Sequence, residues 1–292
     1  MTATTTRTRR LSSSLGLLGA AAALVLAACG GSEPTFEDDA FALTVNFDIG
    51  ASEAPSRLLV GVLRPDGTRL GSPEQQVELE VMPVGAPEEA QRVPGTFIWI
   101  VENATGVYQG DIVFDRPGTW AVTVYPESGD PLAPVPFNVL EETFTPNVGE
   151  AAIVAPTPTL DDGPLEELTT DSEPDPRFYE ISLEDALQSG RKTVLVFSTP
   201  AYCQTAACGP LLNNTKTLAA DHTEVNFIHV EVYTGLTQPD FAPDPAHLAP
   251  ALGPDYWNLQ SEPWVFVIDE GGTVTARFEG VMDPDELAAH LG

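Results

Sequence analysis

The sequence predicts two dissimilar domains, an all-β sandwich followed by an α/β domain, and three observations carry that prediction. Between Phe41 and Tyr125, short runs rich in Val, Ile, Thr and aromatics alternate with turn residues such as Pro65-Asp66-Gly67 and Arg116-Pro117-Gly118, the pattern of strands spaced for two packed sheets. From Ser182 onward the period changes, and capped helical segments interleave with apolar runs such as Thr193-Val194-Leu195-Val196-Phe197. Between the two, Pro156, Pro158, Pro164 and Pro174 stand among Thr, Ser, Asp and Glu with little apolar periodicity. Residues 148–176 therefore read as an extended, mobile linker.

The amino terminus reads as a targeting segment. A basic patch (Arg7, Arg9, Arg10) precedes an apolar run from Leu15 to Ala28, which ends Leu26-Ala27-Ala28-Cys29. This is the layout of a signal peptide over residues 1–28, and the run is too short and too rich in Ala and Gly to span a bilayer. Its end resembles the lipobox of bacterial lipoproteins. The resemblance implies that Cys29 is lipidated, becomes the first mature residue and holds the chain to the membrane outside the cytoplasm, with residues 29–35 as a tether. An ordinary secreted protein with an incidental Cys29 is the plainer alternative.

Composition excludes some partners. The formal charge is −30, and removing the leader, which carries three Arg and no acid, lowers it to −33. Such a body repels nucleic acid and anionic lipid, and most of its acid reads as a solvated surface. With Cys29 lipidated, Cys203 and Cys208 remain; close in sequence and in an oxidising compartment, they form a dithiol or disulfide pair. No cofactor or metal is called for.

The β region, residues 36–147, is expected to hold strands at Phe41 to Phe47, Arg57 to Leu63, Val77 to Met82, Thr96 to Val101, Gly106 to Phe114 and Thr119 to Tyr125. Its Gly106-Val107-Tyr108 strand followed by Gly118-Thr119-Trp120 resembles the Ig-like domains of bacterial exported proteins, which implies a fold more than a function. Trp99, Tyr108 and Trp120 read as core aromatics rather than a binding face.

In residues 177–292, Ser182 caps a short helix with an acid three residues on. A strand at Thr193 to Ser198, a helix from about Thr205 to Asp221 and a strand at Val225 to Tyr233 follow. After a Pro-rich insertion come a strand at Trp264 to Asp269, a Gly271-Gly272 turn, a strand at Thr273 to Glu279 and a last helix opened by Asp283-Pro284-Asp285-Glu286. Three features set in this order resemble the thioredoxin superfamily. An apolar strand leads into Tyr202-Cys203, Glu262-Pro263 precedes the strand Trp264-Val265-Phe266-Val267, and a Gly-turn hairpin precedes the final helix. The resemblance implies that Pro263 is a cis-proline beside the cysteines, and that Tyr202, Cys203, Cys208 and Pro263 are the site residues. A helix N-terminus favours thiolate over thiol, and only the thiolate attacks a disulfide.

The spacing departs from the family's C-x-x-C. On an ideal helix, positions i and i+5 lie ~8.6 Å apart, beyond the ~7 Å limit of a disulfide, so a bonded Cys203 must sit in a loop that curls back over the helix. Cys203 is the preferred nucleophile because Tyr202 matches the family's aromatic. In a second register, Ala207-Cys208-Gly209-Pro210 makes Cys208 the attacker and Cys203 the resolving thiol. The family's buried acid has no counterpart near Val196; His229 reads first as a half-exposed strand histidine and second as a candidate proton carrier, with Glu231 and Glu262 behind it.

Three functions follow from these residues. One is a membrane-anchored thiol-disulfide oxidoreductase acting on exported proteins or a membrane redox partner. Another is a non-enzymatic lipoprotein in which Cys203–Cys208 is a structural disulfide and the Ig-like domain binds a partner. The last is copper handling, with His229 or His247 joining two thiolates.

Overall fold

The computed structural model describes residues 35–292; the expected signal peptide, Cys29 and nearly all of the tether lie outside the described residues. Strands β1 (Phe41–Thr44), β2 (Pro55–Leu63), β3 (Arg69–Leu70), β4 (Val77–Pro83), β5 (Gln91–Val101), β6 (Thr105–Val113), β7 (Gly118–Pro126) and β8 (Val135–Val139) form the sandwich. They run in the order β1-β2-β6-β5-β4-β7-β8, with β3 on β2. The long β5 joins the two layers: residues from Gln91 to Gly95 pair with β4, and residues from Thr96 onward pair with β6. Gly95 stands at the handover, where a Cβ would meet Val77 Cγ2 at 2.5 Å, so only glycine fits.

Alternate residues of β4 and β7 pack inward, whereas the first strand, expected to run to Phe47, stops at Thr44 and leaves Phe47 45% exposed. Val77, Leu79, Val81, Trp120, Val122 and Val124 point into one core with Tyr108 and Phe114. Phe114 meets Trp120 and Phe137 edge-on at 5.2 and 5.8 Å, the geometry that aligns ring edges with ring faces. Three strand segments were not expected: β3, β8 and the first half of β5. Pro136 and Pro94 masked the last two, since proline removes a ladder donor. Pro136 lies in the edge strand β8, and Pro94 pairs with β4 alone, where β5 has already left β6.

The second domain holds a four-stranded sheet of β9 (Thr193–Ser198), β10 (Asn226–Glu231), β11 (Trp264–Ile268) and β12 (Val274–Glu279), in the order β10-β9-β11-β12. β10 runs parallel to β9, while β11 is antiparallel to both β9 and β12. Helices α1 (Leu165–Leu168), α2 (Leu183–Gln188), α3 (Cys208–Asp221) and α4 (Pro284–Ala288) complete it. Because β9 is covered on both faces, all six of its residues are buried. Val194 and Val196 face Leu211 and Leu212 of α3, whereas Leu195 and Phe197 face Leu183, Ala186 and Trp257. Asp283 closes a capping box with Glu286, and Ser182 accepts the Asp185 amide, so both short helices start where their cap residues dictate.

The segment 148–176 is extended but not free, which corrects the expectation of a mobile linker. Gly149 and Ala152 donate to Val274 and Gly272 carbonyls, Val274 donates back to Glu150, and Ala151 bridges to Thr273. Leu168 is buried beside Phe178, and Lys216 pairs with Asp171 at 2.5 Å. Its prolines remove donors but leave carbonyls and alternate N–H groups to dock on the hairpin, which composition alone does not reveal.

The sandwich and the α/β domain also meet directly. Arg277 Nη2 donates to Asp48 Oδ2 and to its carbonyl, both at 2.7 Å, and Glu279 accepts the amides of Phe47 and Asp48. Arg57 grips Glu286 bidentately at 2.9 and 2.8 Å. Next to these pairs, Leu59, Ile98, Ile100 and Val107 of the sandwich pack on Ala207 and Val281.

Candidate redox site

The site begins with the strand end. β9 stops at Ser198, and the chain turns back on itself as Cys203 N–H donates to the Thr199 carbonyl at 3.0 Å. Ala206 takes a left-handed φ of +58° and redirects the chain into α3. This helix starts at Cys208, three residues later than expected, and its preceding residue Ala207 supplies no side-chain cap. The free amide of Cys208 instead donates to Cys203 Sγ at 3.4 Å. The sulfur thus takes the place of a capping oxygen, at the positive end of the helix dipole. The i,i+5 spacing works because only Cys208 is helical and Cys203 lies in the curled loop.

The two thiols differ in environment. Cys203 is partly exposed and Cys208 is buried, and both are free thiols. Cys203 is pulled down to about 5, chiefly by hydrogen bonding from the Cys208 side chain and further by Thr205 Oγ1 at 3.3 Å and the Cys208 amide. Cys208 is driven the other way by the same sulfur–sulfur contact and by burial. One sulfur is therefore the thiolate and the other holds the proton.

Of the residues singled out in the sequence, Cys203 and Cys208 are in direct contact, and Glu262, which precedes Pro263, lies within electrostatic reach of both. The Glu262-Pro263 bond is cis, and the Pro263 carbonyl accepts the Gly280 amide at 2.8 Å. Glu262 feels the charge of Cys203, and Cys208 feels that of Glu262; burial, then Cys203, then Glu231 raise the Glu262 carboxyl. Tyr202 is exposed and leans on Tyr233 and Phe241, with ring centroids at 6.0 and 5.5 Å.

His229 does not join them. It is buried between Tyr179 Oη at 2.7 Å and Ser198 Oγ at 2.8 Å, and burial lowers it to about 4, so it is a neutral strut inside the sheet. His247 contacts Asp244 at 3.0 Å. The donor set expected for copper is thus divided, and among the described residues no group of three or more His, Cys, Asp or Glu is placed to hold a metal ion.

Several contributors were not read from the sequence. Thr205 lies within two residues of Cys203, where the sequence predicts helix rather than a partner for the sulfur. Glu262 has no motif of its own, and its place before Pro263 puts it within reach of both sulfurs. Thr170 could not be found, because it belongs to the docked segment: its amide and hydroxyl donate to Glu231 at 2.8 and 2.7 Å, and its hydroxyl accepts the Ala201 amide at 3.1 Å. It ties the loop before Cys203 to the end of β10.

A cleft of about 370 Å³ lies between the domains, lined by Asp48, Arg57, Trp264 and Arg277 and by neither cysteine. Of the two thiols only Cys203 is partly exposed, and Cys208 is buried.

Residues 179–292 match the family model of a thioredoxin-like domain. The search of curated proteins finds no match. Among solved structures, the crystal structure of the Lin-41 filamin domain is similar at 15% identity and a TM-score of 0.24, covering 35% of this chain and 93% of that one. A score that low carries no argument.

Proposed function

We propose that the chain exchanges thiols and disulfides through Cys203 and Cys208, on exported proteins or a membrane redox partner, while a lipid on Cys29 holds it to the outer side of the membrane. The observation that carries this reading is the sulfur of Cys203 sitting as the cap of α3, stabilised as thiolate by the Cys208 and Thr205 donors. The match of residues 179–292 to a thioredoxin-like domain supports it.

In the reducing direction, the Cys203 thiolate attacks one sulfur of a client disulfide. A bond forms to Cys203, the client S–S bond breaks, and its second sulfur leaves as a thiolate that takes up a proton. Cys208 then gives up its proton and attacks Cys203 Sγ, so the Cys203–Cys208 bond forms and the client's remaining sulfur leaves. Two electrons pass from the dithiol to the client. A dithiol reductant restores the pair, and the reverse sequence oxidises a client dithiol. Glu262 is the carboxyl facing both sulfurs. In the mixed disulfide Cys203 is uncharged, which removes one of the causes that raise the Glu262 carboxyl and favours its carboxylate, the form that accepts the Cys208 proton.

A redox titration of the Cys29→Ser chain, with free thiols counted by mass spectrometry, tests the reading. A two-thiol transition above about −300 mV supports exchange, whereas a bond that resists reduction until unfolding makes the pair structural. The same variant reports on the anchor: it is expected to leave the membrane fraction, and retention there contradicts lipidation.

A further inference from the structure

The surface beside Cys203 has a composition of its own. Tyr202, Tyr233 and Phe241 form a continuous aromatic face, with ring centroids 5.5 to 6.3 Å apart. Leu248, bridged to Tyr233, extends it and is 45% exposed. Three of these four residues, Tyr233, Phe241 and Leu248, come from the chain that follows β10, so this stretch builds a platform next to the partly exposed thiol.

Charge on this platform runs one way. From Thr193 to Ala276 the only Lys or Arg is Lys216, and its ammonium is held by Asp171 and the Glu173 carbonyl. Arg57, Arg177 and Arg277 are likewise tied to acids elsewhere. Facing the aromatics are Asp244 and Glu262, whose charges reach Tyr233, and Asp240 stands exposed next to Phe241. The Cys203 thiolate adds a further negative charge, stabilised by neutral donors. Asp244 is paired with His247 at 3.0 Å, whose ring also meets that of Phe241, but among the described residues no Lys or Arg pairs with Asp240, Asp244 or Glu262, and that electrostatic complement is missing.

Resting on the exchange reading above, we infer that the missing cation belongs to the client: the platform of Tyr202, Tyr233 and Phe241, edged by Asp240, Asp244 and Glu262, receives a disulfide-bearing polypeptide whose cysteine is flanked by Lys or Arg. A guanidinium or ammonium lies on an aromatic face by cation–π attraction, pairs with a carboxylate at its rim, and brings the disulfide to Cys203. Encounter is steered by the same field, which repels acidic clients. The client is selected by the charge around its disulfide.

The test uses the reduced Cys29→Ser chain and three oxidants: neutral hydroxyethyl disulfide and two peptides with the same disulfide, one flanked by Lys and Arg and one by Asp and Glu. Hydroxyethyl disulfide reports on exchange alone, so no oxidation of Cys203 and Cys208 by it defeats the underlying reading. If exchange occurs, the basic peptide is expected to react roughly tenfold or more faster than the acidic one at low salt, with the ratio collapsing as salt is raised. Asp240→Asn with Asp244→Asn should lower that ratio several-fold. Asp38→Asn with Asp39→Asn, which removes the same charge from the sandwich, should leave it in place. Phe241→Leu should slow the basic peptide selectively. A ratio near one at low salt overturns the proposal, as does an equal response to the two double variants, which would assign the preference to net charge alone.

Discussion

At the scale of single residues, the site depends on how three donors share one sulfur. Cys203 Sγ collects the Cys208 amide, the Thr205 hydroxyl and the Cys208 thiol side chain, and each favours the charged form over the neutral one. Alkylation follows the thiolate fraction, so the Cys203 rate in the Cys29→Ser chain should fall only as pH drops through about 5, where an ordinary cysteine loses reactivity below ~8.5. Thr205→Val removes one donor and should move that midpoint upward. A profile centred near the ordinary value in both proteins would contradict the geometry. The contact between Cys203 and Cys208 and the cis Glu262-Pro263 bond agree with the motif order in the sequence, because both depend on neighbours close in the chain. His229 reads from the sequence as a half-exposed strand histidine ahead of a proton carrier, and the structure instead buries it between Tyr179 and Ser198.

At the scale of elements, the helix that carries Cys208 is shorter than its propensity allows, because the positive φ of Ala206 holds residues 203–206 outside it. Thr205 and Ala206 are compatible with a helix, so a local reading extends α3 back by a turn; the constraint comes from the loop folding onto Thr199. The docked segment is the other misjudged element. Its prolines signalled extended chain correctly, but docking depends on the hairpin edge and on Glu231, both distant in sequence. Thr170→Val deletes one of the hydrogen bonds that Glu231, 4% exposed, receives, and frees the Ala201 amide. It should lower stability by about 1–3 kcal/mol, read by denaturant unfolding, and should hasten proteolysis between Gly149 and Asp175. An unchanged midpoint with unchanged cleavage would show that the anchor does not hold the segment.

At the scale of the whole molecule, the sandwich is packed against the thiol-bearing domain through Asp48, Arg277 and Glu279 and through the apolar contact on Ala207. Asp48 accepts from Arg277, from the Phe144 and Thr145 amides and from the Thr145 hydroxyl. Replacing it by Ala strands a buried guanidinium and should cost about 3–5 kcal/mol. Because those partners span both domains, the wild type should unfold in one transition and Asp48→Ala should separate the two; two well-separated transitions in the wild type would show that the domains are independent. None of this interface shows in the sequence, where each half has its own apolar pattern and Asp48 is one acid among 43 Asp and Glu. The division of labour between the cysteines can be seen in the Cys29→Ser chain incubated with a disulfide peptide. Mass spectrometry should find a lasting mixed disulfide on Cys203 in the Cys208→Ser variant, an internal Cys203–Cys208 bond with released peptide thiol in the parent chain, and no adduct in Cys203→Ser. An adduct confined to Cys203→Ser would make Cys208 the attacker, and no adduct in either variant would contradict exchange altogether.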